Sequence, residues 1–182
     1  MNEGDYIFKI VIIGDAAVGK TSLINRFVEA KFKEDYRPTL GANLLRQNVE
    51  IKVDGKQFLC TLVIWDIAGQ SRFELIRSLY FKGCVGAFLV YDCTRPTTFE
   101  NITNIWLNEL LINTGSTLSF VLIGNKIDLK DSQSVLKEEG MELAEEINAT
   151  EFIETSAKSG ENVTNAFKSL SIQILKNLGK IE

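Results

Sequence analysis

Gly14-Asp15-Ala16-Ala17-Val18-Gly19-Lys20-Thr21 is the stretch on which the fold turns: two glycines five residues apart, then a lysine and a hydroxyl residue. The apolar run Ile10 to Ile13 precedes it and the spacing of Leu23, Ile24 and Phe27 follows it, so a strand feeds a loop that opens a helix. Small residues let successive backbone N–H groups turn inward around a phosphate chain, and the helix N-terminus adds unpaired donors and a favourable dipole. Lys20 supplies a point charge for the outer phosphates, and the Thr21 hydroxyl is placed to ligate a magnesium ion that bridges them. Two glycines alone would favour a plain helix-capping turn. The Gly-Lys-Thr ending with both flanks in place decides for phosphate binding.

The 182 residues suit one domain spanning 1–182, long enough to bury about 70% of the unfolded surface in a core. A formal charge of −4 with interspersed lysines and glutamates leaves no basic stripe and argues against nucleic acid as a partner. Cys60, Cys84 and Cys93 each lie in apolar runs without CxxC spacing, and no secretory signal opens the chain, so they read as reduced residues of a cytoplasmic protein. The sequence contains no histidine, which excludes histidine general bases, Ser-His-Asp triads and histidine-bound zinc. Any catalysis must come from positioning and electrostatics. The longest apolar runs are too short to span a bilayer.

Outward from the loop, Asp5 to Ile13 predicts a strand covered on both faces, and Thr21 to Ala30 a helix. Asp54-Gly55 marks a hairpin between Ala42–Val53 and Lys56–Asp66, the first strand carrying Arg46, Glu50 and Lys52 on a wet face. A poorly patterned helix is expected as far as Tyr80, then a buried strand from Cys84 to Tyr91. Thr97-Thr98-Phe99-Glu100 reads as a capping box for a helix with Phe99, Ile102, Trp106 and Leu110 on one face. Ser119 to Gly124 and Glu151 to Thr155 are the remaining strands; Met141, Ala144 and Ile147 mark one helix, and Val163, Phe167, Leu170 and Ile174 the last. Strand and helix alternate after the hairpin, which implies an α/β fold: a six-stranded, mostly parallel sheet with one antiparallel edge strand and helices on both faces. Ligands of such sheets bind beyond the carboxyl ends of the strands.

Further motifs follow strands. Asp66 can hold the magnesium ion, Gly69 can offer its N–H to a terminal phosphate, and Gln70 can orient an attacking water. Asn125-Lys126-Ile127-Asp128 places a carboxylate to accept the N1–H and exocyclic amine of guanine, a donor pair adenine lacks, while the Lys126 stem covers the base and Asn125 ties the loop to the phosphate loop. Thr155-Ser156-Ala157-Lys158 would present N–H groups to the guanine carbonyl. Singly, the later motifs fit a solvated turn as well; their order after the phosphate loop makes them specific.

Five motifs in this order across nearly the whole chain resemble the Ras superfamily of small GTPases. Trp65-Asp66-Ile67-Ala68-Gly69-Gln70, Tyr80-Phe81-Lys82-Gly83-Cys84 and Leu89-Val90-Tyr91-Asp92-Cys93-Thr94 are similar to stretches of its Rab-like branch. The resemblance implies the P-loop NTPase fold of a G domain, and GTP and GDP as substrate and product with Mg2+ as cofactor. It also implies a nucleotide site drawn from Asp15, Ala16, Ala17, Val18, Gly19, Lys20, Thr21, Ser22, Phe32, Tyr36, Thr39, Gly69, Asn125, Lys126, Asp128, Ser156, Ala157 and Lys158. Phe32 would pack on guanine, Tyr36 cover the phosphates, and Thr39 join Thr21 and Asp66 at the metal. Gln70, Lys20 and Thr39 would carry catalysis.

The family reading further implies effector, exchange-factor and GTPase-activating partners through Asp35–Gly41 and Gly69–Tyr80, with Leu44, Trp65 and Tyr80 as effector contacts; burial in the core is the alternative for Trp65. Ser71 stands where Rab proteins usually carry glutamate, Ile67 replaces their usual threonine, and Leu40 to Leu44 matches the Rab switch sequence only loosely. Ala16 and Ala17 occupy positions where bulk can impede hydrolysis in Ras-type members. No arginine lies within the loop, while Arg37 and Arg72 lie in the segments expected to move, so the missing charge is expected in trans and intrinsic turnover at about one per hour or less. The segment Lys176 to Glu182 shows no cysteine to prenylate, so no lipid anchor is visible and membrane recruitment is expected only through partners or a tail beyond this chain. Two rivals remain at this level. A kinase or ATPase on the same loop has no use for Asn-Lys-x-Asp, and a GTP-holding platform without turnover, suggested by Ala16 and Ala17, would not need Gln70 and Thr39.

Overall fold

A computed structural model describes residues 2–32, 38–70, 74–114 and 118–182. Among these, strands β1 (Asn2–Ile13), β2 (Ala42–Val53), β3 (Lys56–Ile67), β4 (Gly86–Asp92), β5 (Ser119–Asn125) and β6 (Glu151–Thr155) form one sheet in the order β2-β3-β1-β4-β5-β6. Only β2 runs antiparallel to its neighbour, joined to β3 through Asp54-Gly55 at positive φ; the other pairs are parallel. This is the mixed sheet with one antiparallel edge that the alternation predicts.

Period-two alternation divides the core between the faces. From β1, Ile10 and Ile12 join Phe88, Val90, Val121 and Ile123 against helices α1 (Lys20–Glu29) and α6 (Val163–Asn177). Val11 and Ile13 point the other way, with Ala87, Leu89, Tyr91 and Leu122. That side is covered by α2 (Glu74–Phe81), α3 (Pro96–Asn101), α4 (Leu107–Thr114) and α5 (Lys137–Glu146). A π-helical turn, Ile102–Trp106, joins α3 to α4. The parallel register places Asp92 beside Asn125 and Asn125 beside Thr155, so three polar residues stand in a row at the carboxyl ends of β4, β5 and β6.

Two local expectations are corrected. The helix after β4 begins at Pro96 with Arg95 as its N-cap and no side-chain cap. Proline at the first helical position is already set at helical φ, and Thr98 turns inward, accepting from the Asp92 N–H (3.0 Å) and donating to the Arg95 carbonyl (2.8 Å). In α5 the buried face is Gly140, Leu143 and Ala144, leaving Met141 exposed, because the Phe152 ring and Tyr91 hydroxyl occupy the space over Gly140. Trp65 is half-buried, its ring 5.3 Å from Tyr80 with the Lys9 ammonium 4.8 Å from the ring centre, while Leu44, paired with it in the β2–β3 register, is 54% exposed. The three cysteines are free, and burial pushes each thiol up to about 11, far from a reactive thiolate.

Phe167 of α6 stacks on Phe27 at 3.9 Å between ring centres and meets Phe88 edge-on at 4.9 Å. Phe167→Ala is expected to destabilise the chain by about 3–5 kcal/mol, read from urea unfolding of the nucleotide-bound protein as a lower midpoint with an unchanged slope.

Candidate nucleotide site

The loop between β1 and α1 wraps the Lys20 side chain, whose ammonium donates to the carbonyls of Gly14 (2.7 Å) and Asp15 (2.8 Å). Lys20 is 5% exposed, and its burial lowers the pKa to about 8 against the raising effect of Asp66 and Asp15. The Asn125 carboxamide reaches into the loop from β5 and donates to the Val18 carbonyl at 2.8 Å. Gly19 has φ 102° there, and a Cβ at that position would stand 2.2 Å from Asn125 Nδ2, so both its conformation and this contact demand glycine.

Thr21, the second residue of α1, donates to Asp66 Oδ2 at 2.5 Å, and its hydroxyl lies 2.9 Å from that of Thr39. Burial raises the Asp66 pKa, opposed by the Thr21 hydroxyl and the Lys20 charge. The other carboxylate oxygen, Oδ1, is buried without a hydrogen-bond partner, as is Gln70 Oε1. Two hydroxyls and a buried carboxylate with a spare acceptor fit magnesium, a hard cation commonly held by one or two carboxylates together with substrate phosphates. Among the described residues no cluster of three or more His, Cys, Asp or Glu side chains could hold a metal by itself. Gly69 lies directly on the phosphate loop: a Cβ there would stand 2.4 Å from the Gly14 carbonyl oxygen and 2.6 Å from the Ala16 nitrogen.

Asp128 and its neighbours follow β5. The Ser156 hydroxyl fixes Asp128 Oδ1 at 2.6 Å, and the Thr155 hydroxyl donates to Asn125 Oδ1 at 3.1 Å. Lys126, at φ 73°, reaches Asp92 Oδ2 at 2.6 Å. Burial alone would raise the Asp92 pKa, but hydrogen bonds from Lys126 and Thr94 and the Lys126 charge outweigh it and hold the carboxyl below its usual value. A cleft of about 1060 Å³ is lined by Ala16, Ala17, Gly19, Lys20, Thr21, Ser22, Phe32, Thr39, Gly69, Gln70, Asn125, Lys126, Asp128, Ala157 and Lys158.

Four described residues of the expected set stand back from that lining, among them Asp66, which is reached through the Thr21 hydroxyl. Asp15 turns its carboxylate toward Asn101 and Trp106, Val18 is buried in the core, and Ser156 is buried behind Asp128. Tyr36 lies outside the described residues, as do 35–37 and 71–73 of the two expected partner segments. Other residues support the site without a sequence signal. Arg26 of α1 donates to the carbonyls of Ala157 (2.9 Å), Ala30 (3.1 Å) and Lys158. Asp92 also binds Arg95 (2.9 Å), which donates to the Ala16 carbonyl (3.0 Å). Asn25, Pro38 and Leu129 complete the lining.

The sequence pattern of the Ras family matches residues 9–176. The chain belongs to the Ras family. Within that family it is 43% identical over 176 residues to Ras-related protein RABA5e of Arabidopsis thaliana, covering 97% of this chain and 78% of that protein. It is 43% identical over 175 residues to Ras-related protein Rab-13 of Mesocricetus auratus, covering 96% and 83%. The Ras-family protein described here is thus a Rab-like small GTPase: it binds GTP and GDP, hydrolyses GTP, and acts as a switch in membrane trafficking. Its sheet is that of a P-loop G domain.

The Lys20 environment sets a pH dependence. A phosphate bound beside the ammonium would favour the charged form and lift its pKa, so above about pH 8 binding would take up a proton. GDP affinity is expected to be full below that pH and to fall above it by up to about tenfold per pH unit until the pKa of the complex is reached. Calorimetric titration across this range, in buffers of different ionisation enthalpy, measures both the fall and the proton uptake.

Proposed function

We propose that residues 1–182 form one G domain in which the cleft holds GTP. The observation that carries this reading is that a single cleft is lined both by Lys20, Thr21, Thr39 and Gln70 and by Asn125, Lys126 and Asp128. Lys20 and the N–H groups of the Asp15–Ser22 stretch stabilise negative charge on the phosphates. Thr21, Thr39 and Asp66 would hold magnesium, which would neutralise charge on the outer phosphates. Asp128 accepts from the guanine edge, the Lys126 stem and Phe32 cover the base, Tyr36 covers the phosphates, and the Ser156–Lys158 loop meets the guanine carbonyl.

Gln70 orients the attacking water through its side-chain amide, and the unpaired, buried Oε1 supports that role. The new bond joins the water oxygen to the terminal phosphorus, and the broken bond joins that phosphorus to the bridging oxygen. GDP leaves with the electron pair, and the proton of water ends on phosphate. Hydrolysis is slow until an activating protein supplies positive charge in trans.

Effectors, exchange factors and activating proteins read Asp35–Gly41 and Gly69–Tyr80. Exposed Leu44 and half-buried Trp65 and Tyr80 support an apolar effector contact at the edge of the sheet. The protein works in the cytoplasm and reaches membranes through partners or through a tail outside this sequence; among the described residues no helix is long and apolar enough to cross a bilayer.

Single-turnover hydrolysis of bound GTP with magnesium, for the wild type beside Gln70→Leu, tests the assignment. The variant is expected to hold GTP with little change in affinity and to lose about 10- to 100-fold in rate. Equal rates in the two proteins would remove Gln70 from the chemistry, and preference for ATP would remove Asp128 from base recognition.

A further inference from the structure

Arg77 of α2 is an arginine only 3% exposed, on an element bordering the nucleotide site. Its guanidinium is held on several sides. Nε donates to Glu109 Oε2 (2.9 Å) and Nη2 to Glu109 Oε1 (2.5 Å), its carbon lies 4.7 Å from the centre of the Trp106 ring, and Nη1 donates to the backbone carbonyl of Gln70 (3.2 Å). Burying a charge of this kind is costly unless it is fully paired, and every partner named here is either Gln70 or belongs to the continuous helix from Pro96 to Thr114.

The same helix grips the phosphate loop. Trp106 Nε1 donates to Asp15 Oδ1 at 2.7 Å, and Asn101 Nδ2 to Asp15 Oδ2 at 2.8 Å. Five residues apart in an α-helix, at about 100° per residue, these side chains would point roughly 140° apart. The π-helical turn between them, with its i to i+5 bonding, brings both onto one face. Arg95 at the N-cap adds a bond to the Ala16 carbonyl. Between the two grips, Gly69 lies against Gly14 to Ala16 at distances that leave no room for a Cβ.

We infer that the helix from Pro96 to Thr114 is the frame that sets the Gln70 peptide against the phosphate loop, with Arg77, Glu109 and Trp106 as positioning residues for hydrolysis. Arg77 and Glu109 fix the height of the Gln70 backbone, and Trp106 fixes the loop it faces. Arg77, Glu109 and Trp106 do not line the cleft. The inference rests on the reading of Gln70 as the group that orients water. A side chain that must hold a water in line with a phosphorus loses rate steeply when its backbone shifts, about 100-fold for a displacement on the order of 1 Å.

The test is single-turnover hydrolysis of bound GTP by wild type, Glu109→Ala and Arg77→Lys, each with and without Gln70→Leu, alongside GDP release from wild type and Trp106→Phe. Glu109→Ala is expected to slow hydrolysis about tenfold and to add nothing in the Gln70→Leu background, because it acts through that residue. Arg77→Lys keeps the charge but not the planar fork that spans Glu109 and the Gln70 carbonyl, so it should show the same loss with the fold intact, and it decides the matter if Glu109→Ala does not fold. Trp106→Phe keeps a ring beneath Arg77 and loses the N–H to Asp15; it should speed GDP release severalfold. The inference is overturned by a rate within twofold of wild type in Arg77→Lys, or by an equal loss whether or not Gln70 is present. If the wild type itself does not turn over, the hydrolytic reading fails, and GDP release then decides alone: an unchanged rate in Trp106→Phe overturns the frame.

Discussion

The buried carboxamide of Asn125 joins three loops at the carboxyl ends of the strands. Its Nδ2 holds the Val18 carbonyl of the phosphate loop, while its Oδ1 accepts from the Thr155 hydroxyl and, at 3.3 Å, from the Ala157 N–H. An amide buried without partners would cost several kcal/mol; paired on both sides it instead makes the position of one loop a condition for that of the next. Truncating it would leave the Val18 carbonyl and the Thr155 hydroxyl unpaired in the interior, so its worth to the site exceeds that of its own bonds. The absence of a Cβ at Gly19 belongs to the same constraint, since the carboxamide occupies that space.

Asp92 organises the neighbouring row in the same way but with charge. Burial at the end of β4 would by itself raise its pKa. Lys126, Arg95 and Thr94 are its partners, and through Lys126 the carboxylate holds the loop after β5, and through Arg95 the carbonyl of Ala16. Lys20 shows the opposite balance: its hydrogen-bond partners are two carbonyl dipoles, and burial outweighs the raising effect of the Asp66 and Asp15 charges, so the charged form is disfavoured. A cation that faces the cleft with its desolvation cost already met on folding gains more from an anion than one already paired with a carboxylate.

Sequence reading recovered the sheet because its signals are local. Asp54-Gly55 fixes a hairpin, alternation along β1 assigns faces, and each phosphate or base motif sits just past a strand whose apolar run announces it. What it missed depends on partners far along the chain. Arg26 lies in an ordinary helix and meets Ala157 across 131 residues; Asp15 meets Trp106 across 91. The Asp15 side chain, in the loop expected to face the nucleotide, turns to two donors of the helix after β4, Asn101 and Trp106, where a carboxylate stands clear of phosphate charge. The Thr97 capping box failed because Pro96 competes for the helix start with a φ already set. Nothing in residues 102–106 marks a π-turn, which arises from what Asn101 and Trp106 must both face.

The surface at the sheet edge is coupled to this framework by geometry. Arg77 and Tyr80 lie three residues apart in α2, so they sit on adjacent parts of one short helix. Arg77 is fixed inward to Glu109 and the Gln70 carbonyl, whereas the Tyr80 ring lies on Trp65, opposite Leu44 on β2. If this eight-residue helix moves as a rigid body, a displacement of the Gln70 peptide that pulls on Arg77 would tilt or slide the Tyr80 ring across Trp65. On the proposed role of Gln70, the aromatic pair is where a shift of that peptide would reach the surface. Any protein that distinguishes the two nucleotide states by touching Leu44, Trp65 and Tyr80 must draw its discrimination from the difference in contact free energy between those two ring positions.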